Sequence, residues 1–206
     1  PRIMEAKQKI LFRLGTQAFA NAQFAEALQY FNRSLEIGQY NAATQADAYY
    51  WRGEANYRLE NYKAAGKDLR RYLELAKNKR SQEYGLALYN LGYADFKQKQ
   101  YGSALNWFSR FVNEGTKDNK QVLADAYNRM GDCNFYARKF DDARRSYDKA
   151  EQVDPSLAAA KYGIKVIATN DVHFVNKEDG PAHDRLICVS TNADYNDPKR
   201  MRYTQQ

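Results

Sequence analysis

The chain has 206 residues with 32 Lys plus Arg against 25 Asp plus Glu, a formal charge of +7, and no apolar run approaching the length of a membrane span. That length allows one or two domains with a real core, while two cysteines, Cys133 and Cys188, exclude a disulfide framework. The surplus of rings, 17 Tyr, 10 Phe and 2 Trp beside 4 Pro and 11 Gly, predicts long helices that pack through aromatic side chains. Residues 1–155 carry most of the charge, 25 basic and 19 acidic groups, an excess that permits an acidic partner without requiring one. The opening PRIMEAKQKI has neither initiator Met nor a basic-then-apolar leader, as expected of a processed or excised piece.

Four units follow one another along the chain. Gly15, Gly53, Gly92 and Gly131 are spaced by 38, 39 and 39 residues. Four residues after each glycine stands a ring: Phe19, Tyr57, Phe96 and Phe135. At nine comes a second ring: Phe24, Tyr62, Tyr101 and Phe140. At twelve there is always alanine: Ala27, Ala65, Ala104 and Ala143. At sixteen a large side chain recurs: Phe31, Leu69, Phe108 and Tyr147. Apolar residues at three- and four-residue steps around these positions predict helices. Each unit is expected to be a helix, a tight turn (at Ala22-Gln23, Glu60-Asn61, Lys99-Gln100 and Arg138-Lys139) and a second helix. The second ring is expected in the turn, plugging the top of the hairpin. A glycine inside a helix costs about 1 kcal/mol relative to alanine, so its recurrence predicts that another backbone passes close. One hairpin cannot bury its apolar stripe alone, and four stacked hairpins make a continuous core.

With a bulky residue before the glycine (Leu11, Tyr49, Leu88, Tyr127), the pattern resembles the tetratricopeptide repeat over about residues 5–155. The departures are a period 4–5 residues longer than the usual ~34 and a terminal proline kept only as Pro155. The extra residues fall between units, at 38–44, 77–82 and 115–120. The resemblance implies an all-α, helical-hairpin solenoid of four repeats over residues 1–157. It also implies that the first helices line a concave face where a peptide or partner segment lies. On that face the candidates are Phe12 and Thr16, Tyr50 and Glu54, Tyr89 and Tyr93, and Asn128 and Asp132, flanked by Arg13, Trp51, Asn90 and Arg129. Phe12, Tyr50 and Tyr89 would form a stripe gripping apolar or aromatic side chains of an extended partner, unless these rings pack helix against helix. Members that bind chaperone tails hold a carboxylate with Lys and Asn where Phe12 and Thr16 stand, so that specificity is not expected.

Basic runs at Lys67-Arg70-Arg71, Lys77-Lys79-Arg80 and Arg144-Arg145-Lys149 are interleaved with Asp68, Glu74, Asp141, Asp142 and Asp148. This is the pattern of solvated helix faces, and nucleic acid is not the expected partner of the repeats. Cys133, with no His or second Cys near it, reads as a small packing residue.

After Pro155 the pattern changes. Residues 156–162 read as a capping helix, 164–169 (IKVIAT) as a buried strand, 170–174 as a polar elbow, 178–190 as helical and 197–203 (DPKRMRY) as a basic extended stretch. The expected tail over 158–206 is therefore a short α/β segment. Its wording, KYGIKVIATNDVHF, EDGPAHDRLICV and DPKRMRY, resembles the end of the polymerase-and-histidinol-phosphatase (PHP) domain of bacterial DNA polymerase III alpha subunits. By that resemblance Asp171 and His173 match the last pair of metal ligands, and Asp-x-His alternation places both side chains on one side of an extended backbone. The family's other ligands fall upstream, where this chain has repeats, and the only histidines are His173 and His183. The expected function is thus a non-catalytic interaction scaffold needing no cofactor. The alternative is a fragment or fusion of the polymerase subunit, with zinc or manganese bound only if the tail is functional. A native polymerase-like tail implies the cytoplasm, whereas the repeat array alone leaves the compartment open, the periplasm included.

Overall fold

The computed structural model describes residues 2–38, 40–115 and 119–156. Eight helices follow in order among them: α1 (Arg2–Ala20), α2 (Phe24–Ile37), α3 (Ala42–Arg58), α4 (Tyr62–Leu75), α5 (Gln82–Lys97), α6 (Tyr101–Glu114), α7 (Lys120–Tyr136) and α8 (Phe140–Val153). Each helix packs on the next along the chain, forming four hairpins stacked into a solenoid. Successive first helices also touch, α1 with α3 and α3 with α5, and they therefore lie on the inner, shorter radius of the stack. No described helix is long and apolar enough to cross a membrane. The tail, with its expected strand and the candidate metal ligands Asp171 and His173, lies outside the described residues, as does the boundary placed after residue 157.

Local chemistry sets the helix ends. Asn41, Ser81 and Asn119 cap α3, α5 and α7, their side-chain oxygens accepting from the backbone N–H of Thr44 (2.9 Å), Tyr84 (3.2 Å) and Val122 (3.2 Å). The hairpin turns share one geometry. Ala22, Glu60, Lys99 and Arg138 adopt φ of 58°, 61°, 59° and 60°, a left-handed conformation that costs a non-glycine residue about 1–2 kcal/mol. Paired bonds offset it. In the first turn, Ala22 N–H donates to the Phe19 carbonyl and Gln23 N–H to the Ala18 carbonyl, both at 2.9 Å. The other three turns repeat the longer bond at 2.8–2.9 Å. This double closure is the Schellman motif. The second ring opens the second helix rather than sitting in the turn. It packs edge-on against the first ring, with centroids 5.1 Å apart for Phe19–Phe24, 5.5 Å for Tyr57–Tyr62, 5.4 Å for Phe96–Tyr101 and 5.6 Å for Phe135–Phe140.

The recurring glycines answer a side chain, not a second backbone. A Cβ at Gly15 would lie 2.5 Å from a Phe31 ring carbon, at Gly53 2.9 Å from Leu69, at Gly92 2.8 Å from Phe108 and at Gly131 2.3 Å from Tyr147. The large residue at offset sixteen thus seats in a hollow left on the first helix, and the alanine at offset twelve lets the helices close. Ala27, Ala65, Ala104, Phe31, Leu69 and Phe108 are all fully buried. Polar contacts run both within and between hairpins. Asp95, fully buried, accepts from Ser103 (2.5 Å), Trp107 Nε1 (3.0 Å) and Arg70 (3.1 Å). Asp68 binds Arg52 through both carboxylate oxygens, at 2.7 and 2.8 Å.

Replacing Gly92 by alanine should lower unfolding stability by about 1–2 kcal/mol, because overpacking against Phe108 (about 1–3 kcal/mol) exceeds the propensity gain. Gly102→Ala, where no atom lies within 4 Å of the new Cβ, should be neutral or stabilising by up to about 1 kcal/mol. Urea denaturation of the two variants checks both signs.

Candidate partner-binding face

Projecting α1, α3, α5 and α7 onto the inner side of the solenoid places the candidate residues along it unequally. In the first unit Phe12 is half-buried and packs at a tilt on Phe31 (6.1 Å), Arg13 is exposed, and Thr16 is half-buried with its hydroxyl donating to the Arg13 carbonyl at 2.9 Å. In the second unit Tyr50 is only 6% exposed, its ring held by Tyr72 (5.2 Å) and Trp51 (5.4 Å). Tyr50 therefore belongs to the core between units, and the open stripe Phe12–Tyr50–Tyr89 is interrupted at its middle. Trp51 is half-buried, edge-on to Phe19 at 5.1 Å, and bridges the first and second units.

From the second unit onward the face carries a hydrogen-bond network. Asn90 donates to the buried carboxylate of Glu54, tying α5 to α3. Tyr89 donates to Asp125 Oδ2 at 2.8 Å, and Tyr93 donates to the same oxygen, tying α5 to α7. Arg129 bridges Asp132 (2.5 Å) and Asp125 (3.8 Å) while its guanidinium lies 5.6 Å over the Phe96 ring. Asp132 also accepts from Tyr147 at 2.8 Å. Asn128 is 2% exposed, so it serves packing and presents nothing to solvent.

The electrostatics follow from burial. Desolvation raises the Glu54 carboxyl above its ordinary value, opposed by Arg58 and by the bond from Asn90. Burial raises Asp132 likewise, opposed by Arg129, and raises Asp47, where Glu83 adds to the effect. Burial also pushes the Tyr57 phenol up to about 12 and the Tyr89 and Tyr93 phenols higher still, so all three stay neutral donors.

Two members of this face escaped the sequence reading. Asp125, the acceptor shared by two tyrosines, stands six residues before Gly131, one turn ahead of the positions singled out. Tyr57, half-buried on the same face, was absorbed into the repeat pattern as the ring at offset four. Of the basic runs, Arg70, Arg71 and Arg145 are neutralised by Asp95, Glu74 and Asp142. Among the described residues no cluster of three potential metal ligands occurs.

Comparison with known proteins agrees with this architecture. Residues 12–79 and 124–157 match models of the tetratricopeptide repeat. The fold is similar to that of the crystal structure of MamA, with a TM-score of 0.61 over 78% of this chain and 86% of that one at 21% identity. The chain is also similar to DNA polymerase III subunit alpha. It is 30% identical to the Treponema pallidum protein over 92 residues (44% of this chain, 8% of that one) and 44% identical to the Thermus aquaticus protein over 45 residues (22% and 4%). The chain thus spans under a tenth of these subunits, and the 92-residue match is longer than the tail, so it reaches into the helical repeats.

The raised Glu54 carboxyl gives a signed expectation. The folded chain holds this proton more tightly than the unfolded chain, so ionisation of Glu54 opposes folding. Its penalty grows as pH rises through the interval above the ordinary value of 4.5. Glu54→Gln keeps the acceptor for Asn90 and removes the charge. Thermal melts should show the variant more stable than the parent at neutral pH, with the gap closing below pH 4.5.

Proposed function

Taking the chain as the tetratricopeptide-repeat scaffold that its helical units make it, we propose that it binds an extended partner segment along the inner face and performs no chemistry there. One observation carries the reading: half-exposed rings and polar groups of successive first helices are held in place by bonds between units, before any partner arrives. Glu54–Asn90 and Tyr89/Tyr93–Asp125 fix the spacing of α3, α5 and α7, and a preorganised surface loses less entropy on binding. The contacting set is Phe12, Arg13, Thr16, Trp51, Tyr57, Tyr89, Asn90, Tyr93, Arg129 and Asp132. Tyr50, Glu54 and Asn128 support it from beneath. Rings flanked by mixed charges favour a segment with alternating apolar and polar side chains over a uniformly charged one.

The polymerase likeness favours a second reading, a fragment or fusion of the alpha subunit in which Asp171 and His173 belong to a metal site. Stoichiometric zinc or manganese on the purified chain, lost in Asp171→Ala, would support that reading against the scaffold.

Selection of linear peptides from a displayed random library tests the first reading. Selected peptides should bind the Trp51→Ala/Tyr57→Ala double variant at least about tenfold more weakly, with its circular dichroism unchanged, and the exposed Arg13→Glu should shift affinity without affecting folding. Tyr50→Ala should instead destabilise the array, by about 3 kcal/mol. Failure to select any peptide, or equal binding to the double variant, overturns the inner-face assignment.

A further inference from the structure

The hairpin turns bring a different set of residues to one edge of the solenoid. Around the third and fourth turns Lys97, Lys99, Arg138 and Lys139 are all exposed. None of the four forms an ion pair with a carboxylate among the described residues. Arg71, Arg110 and Arg145 elsewhere on the second helices are each matched by an acid three or four residues away. Unmatched cations on neighbouring turns repel one another and gain from an anion that spans them.

Among these cations lies a stacking platform. Tyr136, the last residue of α7, stacks on Tyr101, the first of α6, with centroids 4.2 Å apart and an interplanar angle of 10°. It is the only flat stack among the ring pairs of the described residues; the others are tilted or edge-on. Phe96 and Phe135 meet Tyr136 edge-on at 6.5 and 6.2 Å and hold its plane. Yet Tyr136 is 57% exposed, far more than a ring stacked on both sides would be, so one face remains open to solvent. The first turn, from Asn21 to Glu26, has no cation, the second has Arg58 and Lys63 against Glu60, and at the fourth Asp141 and Asp142 follow the two cations, Asp142 being paired with Arg145.

An open ring face with unpaired cations before and after it matches a base flanked by phosphates. An acidic peptide would use the cations and leave the flat platform unexplained. We propose that the edge formed by the third and fourth turns binds single-stranded nucleic acid, Tyr136 stacking a base while Lys97, Lys99, Arg138 and Lys139 contact the adjoining phosphates. This surface is distinct from the inner face and from the three basic runs of the sequence reading. Those runs are contiguous along the chain, whereas the edge is assembled from short turns 39 residues apart.

Fluorescence anisotropy of the full chain with labelled oligothymidylate and oligouridylate tests it. Saturable binding is expected at low salt, weakening on salt addition with a log–log slope of about −3, the value for four phosphate contacts on a single strand. Tyr136→Ala should weaken binding about 5- to 30-fold and Tyr136→Phe should retain it. Lys99→Glu combined with Arg138→Glu should weaken it at least about tenfold and flatten the slope. Lys67→Glu, on the outer face of α4, should leave it unchanged. Because Tyr136, Lys99 and Arg138 are exposed, circular dichroism should be unaltered in every variant. No binding at low salt, full affinity in Tyr136→Ala, or equal competition by polyglutamate would each overturn the proposal.

Discussion

The insertion of one large side chain per unit into the hollow over a glycine is the contact on which the array depends. Phe31, Leu69, Phe108 and Tyr147 each approach their glycine so closely that a single methyl group would collide with them. The contact sets the distance between the two helices of a hairpin, and that distance sets where the flanking rings and alanines meet. Because it recurs at the same register, each hairpin has nearly the same shape, and identical shapes stack into a regular solenoid. The penalty of about 1 kcal/mol for glycine within a helix is outweighed by burying a whole aromatic or leucine side chain, worth about 1.5–3 kcal/mol.

Stacking between units obeys a looser rule. The residues that join neighbouring hairpins differ from one junction to the next: Arg52 with Asn32 between the first and second units, Arg70 with Asp95 between the second and third, Tyr89 and Tyr93 with Asp125 between the third and fourth. A buried carboxylate is tolerable only when its partners are complete, so these junctions tie each unit to a particular neighbour. The same bonds determine which candidate side chains remain available. Tyr50 and Asn128 are withdrawn into the stack, whereas Trp51, Tyr57 and Arg13 keep contact with solvent.

Much of this was legible along the chain. Eight helices and their hairpin pairing follow from the repeat offsets, since periodicity of 3.6 and a 38–39-residue period leave few other packings, and the inner position of the first helices is what the resemblance to the tetratricopeptide repeat implies. The reason for the glycines was misread as backbone approach, because offset sixteen lies on the partner helix and a one-dimensional pattern does not show which atoms converge. Asp125 was missed for a related cause. It occurs once, in one unit, and a search for recurrence passes over a residue whose partners, Tyr89 and Tyr93, stand 36 and 32 positions away.

What the sequence by itself determined is the periodic part: a repeat of helical hairpins, its register, and the likeness of the final residues to the polymerase alpha subunit. Those properties are carried by spacing along one chain, which local helix geometry converts directly into a face. Only the tertiary structure decided which rings are core and which are surface, that two carboxyls on the inner face, Glu54 and Asp132, are raised by burial, and that Tyr101 and Tyr136 stack among cations without ion pairs. Burial and charge pairing depend on neighbours from other units, and those neighbours are fixed by stacking, not by sequence distance.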